Sequence, residues 1–252
     1  MGWGDDLLYI HKCEQLRQGA TVRPTRNRRP RPISDLWRNV PWIDAQGEQA
    51  IEELEYLGRW GRAYQFPELN YTPTPPQTEL LAESDYNLAQ HIQHKHTAYT
   101  LICPDAKGKG THHDVNKTWY HWQDLCDELS QRGHNVVRLK HIAEAKKYRH
   151  ATDYVTANIR QSLAVVEKAQ LVITTDGFWH HASAYTKTNC VVIYGSCTSD
   201  RDLGYTEQAN ITTVDEHSPC YTIHKKCNKC VENMWNISAK DVMDEIVNRG
   251  WG

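Results

Sequence analysis

AYTLICPD, residues 98–105, is the stretch from which the fold can be read. Its apolar part, Ala98–Cys103, is short and continuous, as expected of a buried strand. A long polar loop rich in Gly and Lys follows over 106–118. Beyond it, Trp119, Trp122, Leu125, Cys126 and Leu129 recur at helical spacing, which predicts a helix over Trp119–Arg132 closed by Gly133. The alternation continues downstream. Strands are expected at His134–Leu139, Leu171–Thr175, Cys190–Tyr194 and Ile211–Val214. Helices are expected at Asn158–Ala169 and Phe178–Thr186, with a last amphipathic helix N-capped by Ser238. Strands alternating with helices at this spacing mean βαβ units and a parallel sheet. Residues 98–252 therefore form a Rossmann-like α/β domain.

Upstream, residues 1–97 read as a smaller α/β unit. It starts with a glycine-rich turn, then a helix from about Asp5 to Arg17 and a basic loop. The segment FPELNYTPTPPQTE (66–79) is neither helix nor central strand, because proline fixes φ and removes donors. There is no internal repeat.

Composition bounds the function. The chain has 252 residues, 39% hydrophobic and 24% charged, which excludes a disordered, collagen-like or coiled-coil chain. No apolar stretch is long enough to span a bilayer and the first twenty residues lack a signal-peptide core, so a cytoplasmic location is expected. A net charge of −2 gives no general drive toward nucleic acid. The exception is local, VRPTRNRRPRP (22–32), whose arginines include Arg26, Arg28 and Arg29. Nine Trp and thirteen Tyr stand against two Phe. That bias suits rings lining a sugar or base site, and equally suits drift in composition.

Four loops carry candidate chemistry, and in a parallel sheet ligands bind where strands end. GWGDDLL (2–8) puts glycines and Asp5 at the start of a helix, as a cap or as a base. CPDAKGKGTHHDVNKTW (103–119) sets Lys107, Lys109 and Lys117 around two glycines, a composition suited to a diphosphate but without the P-loop pattern. TTDGFWHHASA (174–184) offers Asp176 and Gly177 at a strand end, then His180 and His181 in the first helical turn. YGSCTSDRDLGY (194–205) adds Gly195 and Ser196. The missing GxGxxG argues against a bound dinucleotide, and so against most epimerases.

Cys13, Cys103, Cys126, Cys190 and Cys197 are scattered and read as small buried hydrophobes. Cys220, Cys227 and Cys230 cluster in PCYTIHKKCNKC (219–230), with His217 and His224 nearby. With a histidine they make a Cys3His set suited to structural zinc, His224 being the assigned fourth ligand. Reduced thiols account for them equally.

The order GxGD, PxxK…KxW, DGxxHHAxA, VVIYGS and a final cysteine cluster resembles glycosyltransferase family 9, the heptosyltransferase-like enzymes. The likeness is to a compact branch with viral and bacterial members. It covers 98–250 well and 1–45 more loosely, through GWGDDLL and RRPRPISDLWRNVPWI (28–43). The resemblance implies a GT-B architecture, two Rossmann-like halves with the N-terminal one reduced. It also implies inverting sugar transfer from a nucleotide-diphosphate sugar, with no metal needed for the chemistry. By the same resemblance Asp5 and His180 are the catalytic residues, Asp5 as base and His180 stabilising the departing diphosphate, with Lys117 and Gly177 beside the donor phosphates. Lys107, Asp176, His181, Gly195 and Ser196 complete the donor side. Typical heptosyltransferases carry the acid one residue earlier, where this chain has Thr175. The acceptor is a glycan or a hydroxylated nucleic-acid base, with Arg26, Arg28 and Arg29 as acceptor or phosphate contacts. The rival reading is a non-catalytic nucleotide- or nucleic-acid-binding module on the same scaffold.

Overall fold

A computed structural model of the chain describes residues 3–16, 21–26, 29–30, 35–37, 40–44, 52–55, 75–104, 115–140, 147–213, 215–222 and 225–252. Helix α1 (Trp3–Leu16) comes first. A small sheet follows, β1 (Val22–Arg26), β2 (Arg29–Pro30) and β3 (Glu52–Glu55). Here β1 pairs antiparallel with β2 and parallel with β3. The basic segment expected as a loop is therefore partly a hairpin.

Helix α2 (Asn87–His96) leads into the main sheet. Its elements run β4 (Thr100–Cys103), α3 (Trp122–Gln131), β5 (Val136–Leu139), β6 (Ala151–Tyr154), α4 (Ile159–Lys168) and β7 (Leu171–Thr175). They continue with α5 (Phe178–Thr186), β8 (Cys190–Gly195), α6 (Asp200–Leu203), β9 (Ala209–Thr212), α7 (Asn228–Asn236) and α8 (Ala239–Asn248). The strand order is β6-β5-β4-β7-β8-β9, and every pairing is parallel.

The central strands are buried along their whole length and mostly apolar, because both faces of the sheet are covered. Alternate residues of one strand enter different cores. Leu101 of β4, Val172 of β7 and Val192 of β8 face a core shared with Leu7 and Ile10 of α1, Ile92 of α2 and Leu163 of α4. Ile102 of β4, Ile173 of β7 and Ile193 of β8 face the other core, with Leu125 of α3, Met234 of α7 and Val242 of α8. Helices thus sandwich the sheet.

Two details differ from expectation. Trp119 lies outside α3, buried, with its indole N–H donating to the Ile237 carbonyl at 2.6 Å. The edge strand β6 has no apolar signature. Its Asp153 receives Nε and Nη2 of buried Arg138 at 2.8 and 3.0 Å, from the residue beside it in register on β5. Among the described residues no helix is long and apolar enough to cross a membrane.

Candidate active site

The chain leaves β4 toward β5 on one side and returns to β7 on the other. The order therefore reverses between β4 and β7, the crevice where open parallel sheets bind ligands. The connection after β4 carries Lys117, and β7 leads directly into Asp176.

These two side chains meet. Lys117 Nζ donates to Asp176 Oδ2, and both are almost wholly buried. Thr198, from the loop after β8, donates to the same oxygen at 2.6 Å. Burial alone would raise the Asp176 pKa. The charge of Lys117, the neighbouring His180 and the two hydrogen bonds outweigh it and hold the carboxyl well below the usual range.

Asp176 is followed by Gly177, which precedes α5. The Gly177 amide donates to His180 Nδ1 at 3.0 Å, so the side chain of the third helical residue satisfies an otherwise open amide. Because Nδ1 accepts, the neutral ring carries its proton on Nε2. That atom is buried without a hydrogen-bond partner among the described residues. His180 is wholly buried, and burial pushes its pKa down to about 4, with Asp176 opposing and Lys117 reinforcing the shift.

His181 is also buried, its ring centroid 3.8 Å from that of His180, and its Nδ1 lies 2.9 Å from the Tyr205 hydroxyl. Burial lowers its pKa well below the ordinary value. Both histidines are therefore neutral at pH 7 and both are enclosed, although they are sequence neighbours on a helix.

The remaining expected residues divide. A Cβ on Gly177 would meet nothing among the described residues, and its φ of 164° is ordinary extended backbone. Gly195 has φ +57°, and a Cβ there would overlap Met234, so the fold itself requires this glycine. Ser196, the next residue, is fully buried. Asp5 lies in the first turn of α1, which packs on α5. Arg26 and Arg29 stand opposite each other in register across the hairpin. Lys107, Arg28 and His224 lie outside the described residues.

Two connections seat α1 beside α5. The Glu14 carboxylate accepts from the Gln77 and Thr78 amides, at 2.9 Å for Gln77. The Tyr185 hydroxyl of α5 accepts from the Leu80 amide at 2.9 Å. Neither contact is visible in the sequence, since Glu14 and Tyr185 carry no local motif.

The cysteine cluster lies beside the loop that follows β8. His217, Cys220, Cys227 and Cys230 bring one ligand atom each to within 4.8 Å of one another, a set a metal ion could hold. The five scattered cysteines are all buried, as expected. Of the tryptophans, Trp37, Trp42, Trp119 and Trp122 are core residues, while Trp235 is exposed.

A family model described as glycosyltransferase family 9 (heptosyltransferase) matches residues 59–231. The fold is similar to a family 9 glycosyl transferase from Veillonella parvula DSM 2008, at TM-score 0.68 and 14% identity over 98% of this chain and 94% of that one. It is similar to the E. coli ADP-heptose lps heptosyltransferase II, at TM-score 0.61 and 13% identity over 97% and 93%. A third likeness is to TibC of enterotoxigenic E. coli H10407, an iron-containing dodecameric glycosyltransferase, at TM-score 0.50 and 14% identity. That match takes in 62% of this chain, which spans about half of TibC, 47%. At such identities the likenesses speak to the fold. No curated protein matched by sequence.

Proposed function

The chain belongs to glycosyltransferase family 9, and on that footing we propose that it moves a sugar from a nucleotide-diphosphate sugar to an acceptor hydroxyl with inversion. The observation that carries this reading is the convergence of Lys117 and Asp176 at the β4/β7 crevice, beside the open approach to Gly177.

The acceptor oxygen attacks the anomeric carbon while the bond to the diphosphate breaks. The hydroxyl proton passes to Asp5, and the electron pair leaves with the diphosphate. Lys117 faces that developing charge. Asp176 takes one of its three N–H donors and fixes the ammonium, leaving others for phosphate oxygens. His180 is a positioning residue here, because it holds the Gly177 amide and so the start of α5. The N-terminal amides of α5 add a favourable field for the anion. Arg26 and Arg29 on the hairpin supply acceptor contacts, with Arg28, and Lys107 and His181 support the donor side. The acceptor is a glycan or a hydroxylated nucleic-acid base.

The solved relatives named for ADP-heptose make an ADP-sugar the first donor to try. Calorimetry against ADP, UDP and GDP and their sugar conjugates is the test. One nucleoside diphosphate should bind, and its sugar conjugate should be consumed once an acceptor is present. Asp5→Asn should then cut turnover about 100-fold or more while donor affinity stays. An equal loss in both removes Asp5 as base. Binding without turnover across acceptors supports the non-catalytic module, and silence across the whole panel overturns the donor site.

A further inference from the structure

We propose that His217, Cys220, Cys227 and Cys230 bind one zinc ion, and that this ion holds Lys117 in place against Asp176.

The donor set comes first. Cys220 and Cys230 Sγ lie 2.9 Å apart, well beyond a disulfide bond. His217 Nε2 lies 3.1 Å from Cys227 Sγ and 3.8 Å from Cys230 Sγ. A tetrahedral zinc with Zn–S bonds of about 2.3 Å spaces its sulfurs about 3.8 Å apart, so small shifts of these side chains accommodate it. The Thr222 amide donates to Cys220 Sγ at 3.4 Å, which fixes the orientation of that sulfur. The backbone at His217 is fixed as well, since its amide donates to Asp215 Oδ1 at 3.0 Å and Asn233 holds the other Asp215 oxygen at 2.8 Å. Three soft sulfurs and one imidazole favour zinc over the hard cations.

The same loop is bolted to the candidate active site at two places. Cys220 and Tyr221 amides donate to the Ser196 and Cys197 carbonyls, both at 3.0 Å. That fixes the loop which carries Thr198 to Asp176. On the other side stands Asn116, which is fully buried. Its Nδ2 donates to the Thr222 and Lys225 carbonyls at 2.7 and 3.0 Å, and its Oδ1 accepts from the Cys227 amide at 2.8 Å. The Asn116 side chain thus grips the backbone of the metal loop with both its donor and its acceptor, and the next residue is Lys117. The four ligands are spread along this same segment, Cys220 at its contact with Ser196 and Cys227 at its contact with Asn116, so one ion ties the two anchor points together. The ion therefore braces both groups that hydrogen-bond Asp176 Oδ2. This inference is independent of sugar transfer.

The experiment is metal analysis of the purified full chain, combined with acylation of lysines read by peptide mass spectrometry. One zinc per chain is expected, and the double variant Cys227→Ala/Cys230→Ala should lose it. With zinc bound, Lys117 should acylate at least tenfold more slowly than exposed Lys240. Chelation should raise the Lys117 rate severalfold while Cys126, fully buried in the core, stays unreactive to thiol reagents. If chelation exposes Cys126 too, Asn116→Ala decides, since it should keep the zinc and still release Lys117. A Cys220–Cys230 disulfide, no metal, or metal retained by the double variant overturns the site, and stoichiometric iron overturns zinc as its occupant. Zinc bound with Lys117 indifferent to both chelation and Asn116→Ala overturns its role.

Discussion

Lys117 and Asp176 form a buried ion pair between two segments 59 residues apart, one closing the excursion after β4 and the other directly following β7. A pair like this stabilises mainly by comparison with its broken forms. Removing one partner strands the other charge in a place water does not reach, which costs about 3–5 kcal/mol. Lys117→Met should therefore lower unfolding stability in urea by about that amount. Adding Asp176→Asn to it should restore part of the loss, because the stranded carboxylate is gone. A double variant as unstable as the sum of both singles would show that the two side chains do not depend on each other.

Acid should weaken the fold before the carboxylates titrate. His180 has a folded pKa of about 4 against 6.5 when unfolded, because burial disfavours its charged form. Between those values the unfolded chain takes up a proton that the folded chain refuses, so stability falls as pH falls. The loss from His180 alone is about 2 kcal/mol by pH 5. His181 shifts in the same direction and deepens it. Asp176, held low, contributes stability that disappears only below its ordinary range near 3.8. Urea midpoints at pH 7.5, 6 and 5 would test this. His180→Gln should flatten the decline, and a variant as pH-sensitive as the parent would show that His180 is not its source.

The seat of α1 gives a third expectation. Glu14 accepts two backbone amides of the segment after the proline run, and Tyr185 accepts the Leu80 amide close by. Burial raises the Glu14 pKa, but the nearby His11 ring, the Thr78 side chain and these backbone hydrogen bonds bring it below the ordinary value. Glu14→Ala leaves both amides to water or unmet and should cost about 1–3 kcal/mol. Hydrogen exchange should show α1 opening ahead of β7 in that variant. Uniform protection across both elements would mean that Glu14 does not fasten α1.

Much of this arrangement is legible in the residues, and the gaps have physical causes. Leu171–Thr175 and Phe178–Thr186 are found where the apolar run and the helical spacing put them, because the strand is buried on all sides and the helix follows a glycine at the strand end. Strand β6 escapes a reading by hydropathy because an edge strand needs no apolar face. ATDY is held by Arg138 reaching across to Asp153, a contact no window of sequence contains. Helix α7 escapes it because NKCVENMWN is polar, and only Cys230, Asn233 and Met234 turn inward. Within the site, TTDGFWHHASA points to Asp176 and His180, and KTW to Lys117. Thr198 and Asn116 give no such signal, since a threonine and an asparagine acquire meaning only from the partner that folding delivers. His217 stands beside the cysteines in sequence, yet spacing alone cannot prefer it to His224.

Two glycines that look alike in sequence should behave in opposite ways. Gly195 has φ +57° and leaves no room for a methyl group beside Met234. Gly195→Ala therefore combines backbone strain with a clash in the core and should cost about 2–4 kcal/mol, with donor binding reduced only as far as the fold is. Gly177 has ordinary extended backbone and open space where a Cβ would stand. Nothing among the described residues requires a glycine there, so Gly177→Ala should leave unfolding stability within about 0.5 kcal/mol of the parent. If a diphosphate approaches the chain at the start of α5, the added methyl group occupies its path, and affinity should fall tenfold or more. Calorimetry and urea unfolding on the two variants separate the roles. Undiminished nucleotide affinity in Gly177→Ala would move the donor away from this helix end, whatever else it left of the site.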